Sequence, residues 1–393
     1  MRAEPPLLSR QDLRPGQRWV YSAGFNVGPD LRPAGRIDCE VPDLRRLCDA
    51  GARVALLSHQ GSHRDGTALG LGHVASHLAR ALGRPVGYHP ANATDDAVAR
   101  ADELRDGEIV LFGNTREHAG EERGDPALAR RFARLGAAVA VGGFAKAHRA
   151  HASNAAILDF LPGCAADNLV TEARALDPWA GRDPGRYSVA VLGGVKPEKT
   201  LVGLTGLDRA YDLLIPGGVV LNTLLRALGH PIGRSALGPE PERCADAARS
   251  VLADGRAELH VPDRVIVRRG DGRPATVDVD GVPDDAAVVD FELAPWAHER
   301  LARLRALGGR ALVAGTPSRY TDGFTTAVTP LLAAFADPGV DALLLGGDTV
   351  AELPWAGPSS TGGGSALHYL ADGTCAVFDA LRRTRTIERT PTP

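Results

Sequence analysis

Of the 45 lysines and arginines in this chain, only Lys146, Lys196 and Lys199 are lysines. Arginine replaces lysine on most surfaces, but not where a compact ammonium is needed. Lys196 and Lys199 fall within four residues of each other in LGGVKPEKT (192–200), beside Gly193-Gly194. That placement points to phosphate handling, with chance as the plain alternative. Three more glycine clusters end apolar runs in the same half: Gly217-Gly218, Gly346-Gly347 and Gly362-Gly363-Gly364. Glycines at strand ends let the backbone approach phosphate, and a following helix N-terminus adds free N–H donors. One pair alone is ordinarily a tight turn; four in one lobe suggest a nucleotide site. In GGDT (346–349), Asp348 and Thr349 sit where a carboxylate could hold Mg2+ beside a polyphosphate. An Asp there is equally a helix N-cap. SSTGGGSAL (359–367) reads as a hydroxyl–glycine loop opening a helix. No G-x-x-x-x-G-K-[ST] loop and no G-x-G-x-x-G fingerprint is present, which excludes a Walker nucleotidase and a standard dinucleotide binder.

The first half carries a different set: Asn26, Arg36, His59, Arg116, and His148, Arg149 and His151 in AKAHRAHAS (145–153). Arginines and histidines at strand ends can converge on an anionic substrate, although each alone in so Arg-rich a chain is an ordinary surface residue. The pairs His59/His63 and His73/His77 have H-x-x-x-H spacing, which on a helix would put two imidazoles on one face. No H-E-x-x-H and no cysteine cluster accompanies them, so no protein-bound zinc is expected. A G-x-S-x-G elbow is also missing, which argues against a serine hydrolase.

These residues need elements to hold them. WVYSAGFNV (19–27), ARVALLS (52–58), EIVLFG (108–113) and AAVAVGG (137–143) read as buried strands. Between them DLRRLCDAGA (43–52) and VASHLARALG (74–83) read as helices stopped by glycine. A second series follows in SVAVLGG (188–194), AYDLLIPGG (210–218), RVIVRR (264–269), RALVAG (310–315) and DALLLGGD (341–348). Alternation of this kind predicts an α/β protein with two doubly wound, parallel-sheet (Rossmann-like) lobes joined by a hinge helix. The expected divisions are an acceptor-substrate lobe at 1–165, an interdomain helix and linker at 166–187, a nucleotide lobe at 188–370 and a polar tail at 371–393.

Composition narrows the class. The 393 residues are 44% hydrophobic and 24% charged, with a net charge of −3. That excludes a strongly basic nucleic-acid binder, and no apolar run is long enough to span a membrane. The five cysteines are scattered and the N-terminus has no apolar stretch of signal-peptide type, so a cytoplasmic location is expected. The Arg, Ala and Gly bias suggests a GC-rich bacterium.

Read together, the motifs resemble phosphoglycerate kinase over nearly the whole chain. YSAGFNVGPD (21–30) is similar to the family's opening DFNVP segment, GRID (35–38) to its T-R-I, ALLSHQGS (55–62) to its SHLGRP loop and FGNTRE (112–117) to its ENLRF. FAKAHRAHAS resembles FGTAHRAHAS nearly letter for letter. LGGVKPEKT, LLIPGGVVLNTLL (213–225), LGGDTVAEL (345–353) and SSTGGGSAL match further segments in order. The resemblance implies a monomeric, hinge-bending, ATP-dependent kinase of a small anionic carboxylate, using Mg2+. It implies acceptor binding by Asn26, Arg36, His59, Arg116 and Arg149, with Arg36 also stabilising the moving phosphoryl. It implies that Lys196 follows that phosphoryl, that Lys199 holds ATP phosphate and that Asp348 holds the metal. Gly193, Gly194, Gly217 and Gly218 would border the nucleotide, and Gly346–Thr349 with Gly362, Gly363 and Gly364 would cradle its phosphates.

The departures fall near the acceptor. The family's Asp before Phe-Asn is Gly24, its preceding Arg is Ser22, the Arg of SHLGRP is Ser62 with Arg64 nearby, the Asp of N-D-A-F-G is Gly142, and a Thr is Lys146. In the other lobe the lysines stand three apart rather than four, and the W-N-G-P-M-G-x-F-E segment is hard to place in LVAGTPSRYTDGF (312–324). Since a site built to bond a hydroxyl discriminates for it, these changes lead to the expectation of a carboxylate kinase acting on a phospho- or phosphono-carboxylate altered near its second carbon. The alternatives are an ordinary glycolytic 3-phosphoglycerate kinase and a catalytically dead paralogue that binds a ligand.

Overall fold

The computed structural model describes residues 5–32 and 34–384. Residues 385–393 of the expected tail lie outside the described residues. The described chain divides into two compact units, one running to Ala175 and resuming at Thr374, the other spanning Leu176–Gly373.

The first unit is built on six parallel strands: β1 (Arg18–Ser22), β2 (Arg53–Leu57), β3 (Gly87–His89), β4 (Ile109–Phe112), β5 (Ala138–Val141) and β6 (Gly163–Ala165), in the order β3-β4-β2-β1-β5-β6. β2, β4 and β5 are runs of Val, Leu, Ile and Ala buried almost throughout. That is the signature of parallel strands covered on both faces. Helices Val41–Asp49 and Gly72–Leu82 supply Leu44, Leu47, Val74 and Leu78 to one core with Trp19, Tyr21 and Leu56. The strand order reverses at β1/β5, and in such sheets ligands bind beyond the carboxyl ends of the strands at that reversal.

The second unit repeats the plan. Strands β7 (Ser188–Leu192), β8 (Leu213–Pro216) and β9 (Glu258–Leu259) are followed by β10 (Arg264–Arg268), β11 (Pro274–Asp278) and β12 (Ala287–Phe291), then β13 (Arg310–Ala314), β14 (Asp341–Leu345) and β15 (Ser359–Ser360). The parallel sheet runs β15-β14-β13-β7-β8-β9 and reverses at β7/β13. RVIVRR is not part of it. It forms the middle of a separate antiparallel sheet, β11-β10-β12. Its alternating partner β11, exposed at every second residue, shows why: only one face of that sheet is covered. Val265, Val267 and Phe291 on the covered face join the core formed by Val189, Ile215, Leu221, Leu301 and Leu344.

The expected boundaries differ from this division in two places. Helix Asp167–Arg174, placed by the sequence in a linker, clusters with the first unit. So does helix Ala376–Arg383, placed in a tail: it buries Val377, Phe378, Ala380 and Leu381, and Val377 N–H bonds the Ala147 carbonyl at 3.1 Å. The polar letters of RRTRTIERTPTP dominate the reading of that segment, while the apolar face lies just before them.

Arg310 opens β13 fully buried. Its guanidinium donates to the carbonyls of Ala180, Gly181 and Ala210 and stacks 4.8 Å from the Tyr211 ring centroid. Removing a hydrogen-bonded buried cation strands its carbonyl acceptors. Arg310→Met should therefore lower unfolding stability by about 2–4 kcal/mol, read as a shifted urea midpoint; an unchanged midpoint would show that the carbonyls find other donors.

Candidate functional site

The first group of candidate residues gathers at the carboxyl edge of the first sheet. Asn26 lies four residues beyond β1, and its carbonyl accepts from Arg36 Nη1 at 2.9 Å. Arg36 itself sits exposed on the short helix Gly35–Asp38. β1 and β2 continue side by side past their ends, with Phe25 N–H on Ser58 Oγ at 3.1 Å. His59 follows and is buried. Arg116 sits in the turn after β4, only 4% exposed. Its Nη1 meets the Gly61 carbonyl at 2.7 Å and Glu122 at 2.9 Å, while its buried Nε and Nη2 have no partner among the described residues. Arg149 is exposed, its Nε 3.1 Å from His148 Nε2.

The electrostatics show that His59, Arg116 and Arg149 share one field. Burial first, then Arg116, Lys146, His151 and Arg149, hold His59 well below the usual imidazole range. Burial, then Arg116, Arg149 and Lys146, push His151 down to about 3. Both imidazoles are therefore neutral at pH 7 and offer hydrogen bonds rather than charge, in surroundings already rich in positive charge. Arg64 lies on Glu122 at 3.5 Å, the same carboxylate that holds Arg116. An arginine is thus present near the Arg116 site although Ser62 cannot supply one.

Two residues that sequence reasoning did not place there complete this edge. Lys146, noted only as a departure, is buried, with Nζ 2.6 Å from Ser22 Oγ and 3.1 Å from Asn154 Oδ1. Glu40, for which the sequence carries no signal, is fully buried and accepts from Gly24 N–H at 2.7 Å. Burial pushes the Glu40 carboxyl up and the Lys146 ammonium down, and each charge opposes the other's shift. The reason glycine occupies 24, 142 and 143 is visible here. A Cβ on Gly24 would stand 2.8 Å from Gly143 Cα and 3.3 Å from Glu40 Oε1; one on Gly142 would stand 2.2 Å from Glu40 Oε2 and 2.5 Å from the Tyr21 hydroxyl.

The second group gathers at the carboxyl edge of β7, β8, β13 and β14. Lys196 and Asp348 are both exposed and pair at 3.4 Å. Lys199 lies deeper, and burial, with the Lys196 charge beside it, pushes its ammonium down to about 8. The expected glycines divide. A Cβ on Gly193 would meet the Thr316 carbonyl at 2.2 Å and one on Gly217 the Pro317 carbonyl at 2.3 Å, so these two are closed by the chain's own backbone. Gly194, Gly347 and Gly363 face open space instead, while Gly218 lies against Gly194 and Gly346 against Thr349. Thr349 is buried, and Gly362 N–H donates to Ser360 Oγ at 3.2 Å just before helix Gly363–Asp372, which contains Gly364. Within 312–324, residues 315–317 run over Gly193 and Gly217, with Gly194 N–H on the Thr316 carbonyl and Gly218 N–H on that of Pro317.

Asp348 is the one expected metal ligand, and no group of three metal-ligating side chains gathers among the described residues. A lone exposed carboxylate beside open glycine backbone suits Mg2+, which usually takes one or two carboxylates with the rest from phosphate and water. The H-x-x-x-H pairs do not converge: His59 precedes a loop, and on helix Gly72–Leu82 His73 meets the Val27 carbonyl while His77 meets Asp38. No helix of the described residues is long and apolar enough to cross a membrane.

The chain as a whole is similar to known proteins. The family model described as phosphoglycerate kinase matches residues 22–373. A phosphoglycerate kinase of Methylorubrum extorquens is 32% identical over 93% of this chain and 96% of its own length. One from Rhodospirillum centenum is 35% identical over 85% and 88%. The structure of phosphoglycerate kinase from Coxiella burnetii superposes with a TM-score of 0.72 at 26% identity, covering 97% of this chain and 99% of that one.

His151 yields a test of the field around these groups. Its folded value near 3 lies below the ordinary 6.5, so the unfolded chain binds the extra proton between those values and stability falls as pH drops through that window. The stability difference between wild type and His151→Asn should shift in favour of the variant between pH 7 and pH 4, measured by urea midpoints. Parallel pH curves would show that His151 titrates normally.

Proposed function

The chain belongs to the phosphoglycerate kinase family, ATP-dependent kinases that phosphorylate a carboxylate, and we propose that it transfers the γ-phosphoryl of Mg-ATP to the carboxylate of 3-phosphoglycerate. The observation that carries an anionic acceptor is Arg116. A guanidinium buried with two unpartnered donors is an unfinished hydrogen-bond set, and a phosphate admitted beside it supplies the missing acceptors bidentately. Neutral His59 and the exposed Arg149 add donors to the same anion, and Arg36 with Asn26 serves the carboxylate end.

On the second unit, Lys196 and Lys199 are the cations for the transferring and remaining phosphates, with bare backbone at Gly194, Gly347 and Gly363 for the cradle. Asp348 would hold Mg2+, which supplies charge neutralisation on the polyphosphate when bound. With Asp348 engaged in holding the metal, Lys196, which pairs with it at 3.4 Å, would be left for the phosphoryl in flight. In-line transfer asks for positioning and positive charge rather than a covalent participant, and it requires acceptor and nucleotide to meet. This reading carries with it the hinge bending and monomeric state that the resemblance implies and the cytoplasmic location expected from the sequence.

A second reading has its own observation. Position 24 cannot take a carboxylate while Gly143 Cα and Glu40 occupy the space beside it, so the group that the family resemblance assigns to the acceptor's 2-hydroxyl is missing at its usual place. That favours an acceptor altered at the second carbon. ATP-dependent acyl-phosphate formation, trapped as hydroxamate, should be measured with 3-phosphoglycerate and with phospho- and phosphonocarboxylates lacking the 2-hydroxyl. Turnover of 3-phosphoglycerate supports the first reading; turnover confined to another panel member replaces it with the second; none on any acceptor overturns both.

Two substitutions test the roles. Lys196→Ala should lower kcat about 10²–10³-fold, the scale of losing one charge that stabilises a transition state, with the fold intact; near-normal turnover would remove Lys196 from the transfer. Arg149→Ala should raise the acceptor KM and leave that for ATP unchanged. An unchanged acceptor KM would place the anion elsewhere.

A further inference from the structure

Two buried opposite charges at the carboxyl edge of the first sheet are not used by the transfer as described. Glu40 is fully buried and Lys146 is 3% exposed, so neither is solvated. Each is bonded instead to backbone or side chains that lead directly to a candidate acceptor residue. Glu40 Oε1 holds Gly24 N–H at 2.7 Å, two residues before Asn26. Its Oε2 lies with the Tyr21 hydroxyl over Gly142, where even a Cβ would collide with both. Lys146 Nζ joins the end of β1, through Ser22 Oγ at 2.6 Å, to Asn154 Oδ1 at 3.1 Å. Asn154 Nδ2 then returns to the carbonyls of Lys146 and Arg149, at 2.9 and 2.8 Å, closing the turn that presents Arg149.

The two loops meet at glycine. A Cβ on Gly143 would stand 2.5 Å from Gly24 Cα, so no side chains interdigitate there to hold one loop against the other. The polar links just named do so instead. Lys146 lies in the fields of Glu40 and Glu121, and Glu121 in turn accepts from Ser153 N–H and Oγ in the Arg149 loop. A lone buried charge is strongly destabilising unless it is compensated, so each of these charges depends on the others being in place.

We propose that Glu40 and Lys146 are positioning residues of the acceptor half-site, fixing the Asn26 loop and the Arg149 loop in one relative arrangement. This rests on the reading of Asn26 and Arg149 as acceptor-binding residues, and the test separates the two. Glu40→Gln, Lys146→Met and the double variant are compared with wild type as full-length chains. Amide hydrogen exchange is followed without ligand, and KM values are measured with 3-phosphoglycerate and ATP.

Either single variant should speed exchange at least tenfold in residues 22–26 and 142–154, with the rest of the first unit unchanged. Each should raise the 3-phosphoglycerate KM at least tenfold while leaving that for ATP within twofold. The double variant, with both charges gone, should raise it by less than the product of the single effects. Folded single variants with wild-type exchange in both loops overturn the proposal, and so does uniform acceleration across the unit with an unchanged acceptor KM. If the singles do not fold, the double variant decides: local acceleration supports the proposal and wild-type exchange overturns it. If wild type turns over another panel member instead of 3-phosphoglycerate, the KM is read with that acceptor; if it turns over none, the acceptor reading fails by itself and exchange alone judges the positioning.

Discussion

Lys146 carries an ammonium into the interior at the point where the first sheet reverses its strand order, and much of that edge is arranged to accommodate it. Taking an ion out of water costs several kcal/mol even after relaxation. Ser22 and Asn154 accept from it, and Glu40 and Glu121 supply opposite charge. The same group then acts outward, since its charge helps keep His59 and His151 neutral beneath Arg116 and Arg149. A positive site whose imidazoles are already neutral suits the proposed anion, which it would hold through arginine charge and imidazole hydrogen bonds.

The second unit handles charge in the opposite way. Lys196 and Asp348 are 68% and 83% exposed in their side chains, and an exposed pair of that kind contributes at most about 1 kcal/mol. Under the proposed function it would be easily exchanged for phosphate and metal. Buried charge suits a surface that must hold its shape before the ligand arrives; exposed charge suits one whose partners change during the reaction. Lys199 stands between these limits, half withdrawn and beside a like charge, where an incoming phosphate relieves both penalties.

Much of this was legible in the letters because it depends on local pattern. Buried strands announce themselves as apolar runs, and β2, β4, β5, β7 and β13 fall within a residue or two of the stretches that suggest them, β14 within three. The rarity of lysine drew attention to Lys196 and Lys199, and the third lysine lies buried at the carboxyl edge of the first sheet. Long-range arrangements were illegible. RVIVRR is as apolar as its neighbours, and only the antiparallel pairing of β10 with β11 and β12 takes it out of the parallel sheet. The helix Ala376–Arg383 hides its amphipathic face behind a polar terminus. Glu40 stands in GRIDCEVPDL like any surface carboxylate, because its burial is decided by Gly24 and Gly142, far from it in sequence.

The glycines show how one letter serves two purposes in a site of this kind. Gly193 and Gly217 are required because residues 315–317 press against them, an internal constraint that holds the β7, β8 and β13 ends together. Gly194, Gly347 and Gly363 meet nothing within 4 Å of a would-be Cβ, so no packing constraint explains them. At Gly194 and Gly363 a positive φ does, and at Gly347 a ligand that needs bare backbone would. An alanine at a closed position is thus expected to act through the fold. At an open position without packing, the same substitution acts through ligand access and backbone strain, most at Gly194 and Gly363, whose φ values of 84° and 57° suit glycine best. The division separates the residues that build the nucleotide edge from those that face what binds there, a distinction that a Gly-Gly motif read as text does not contain.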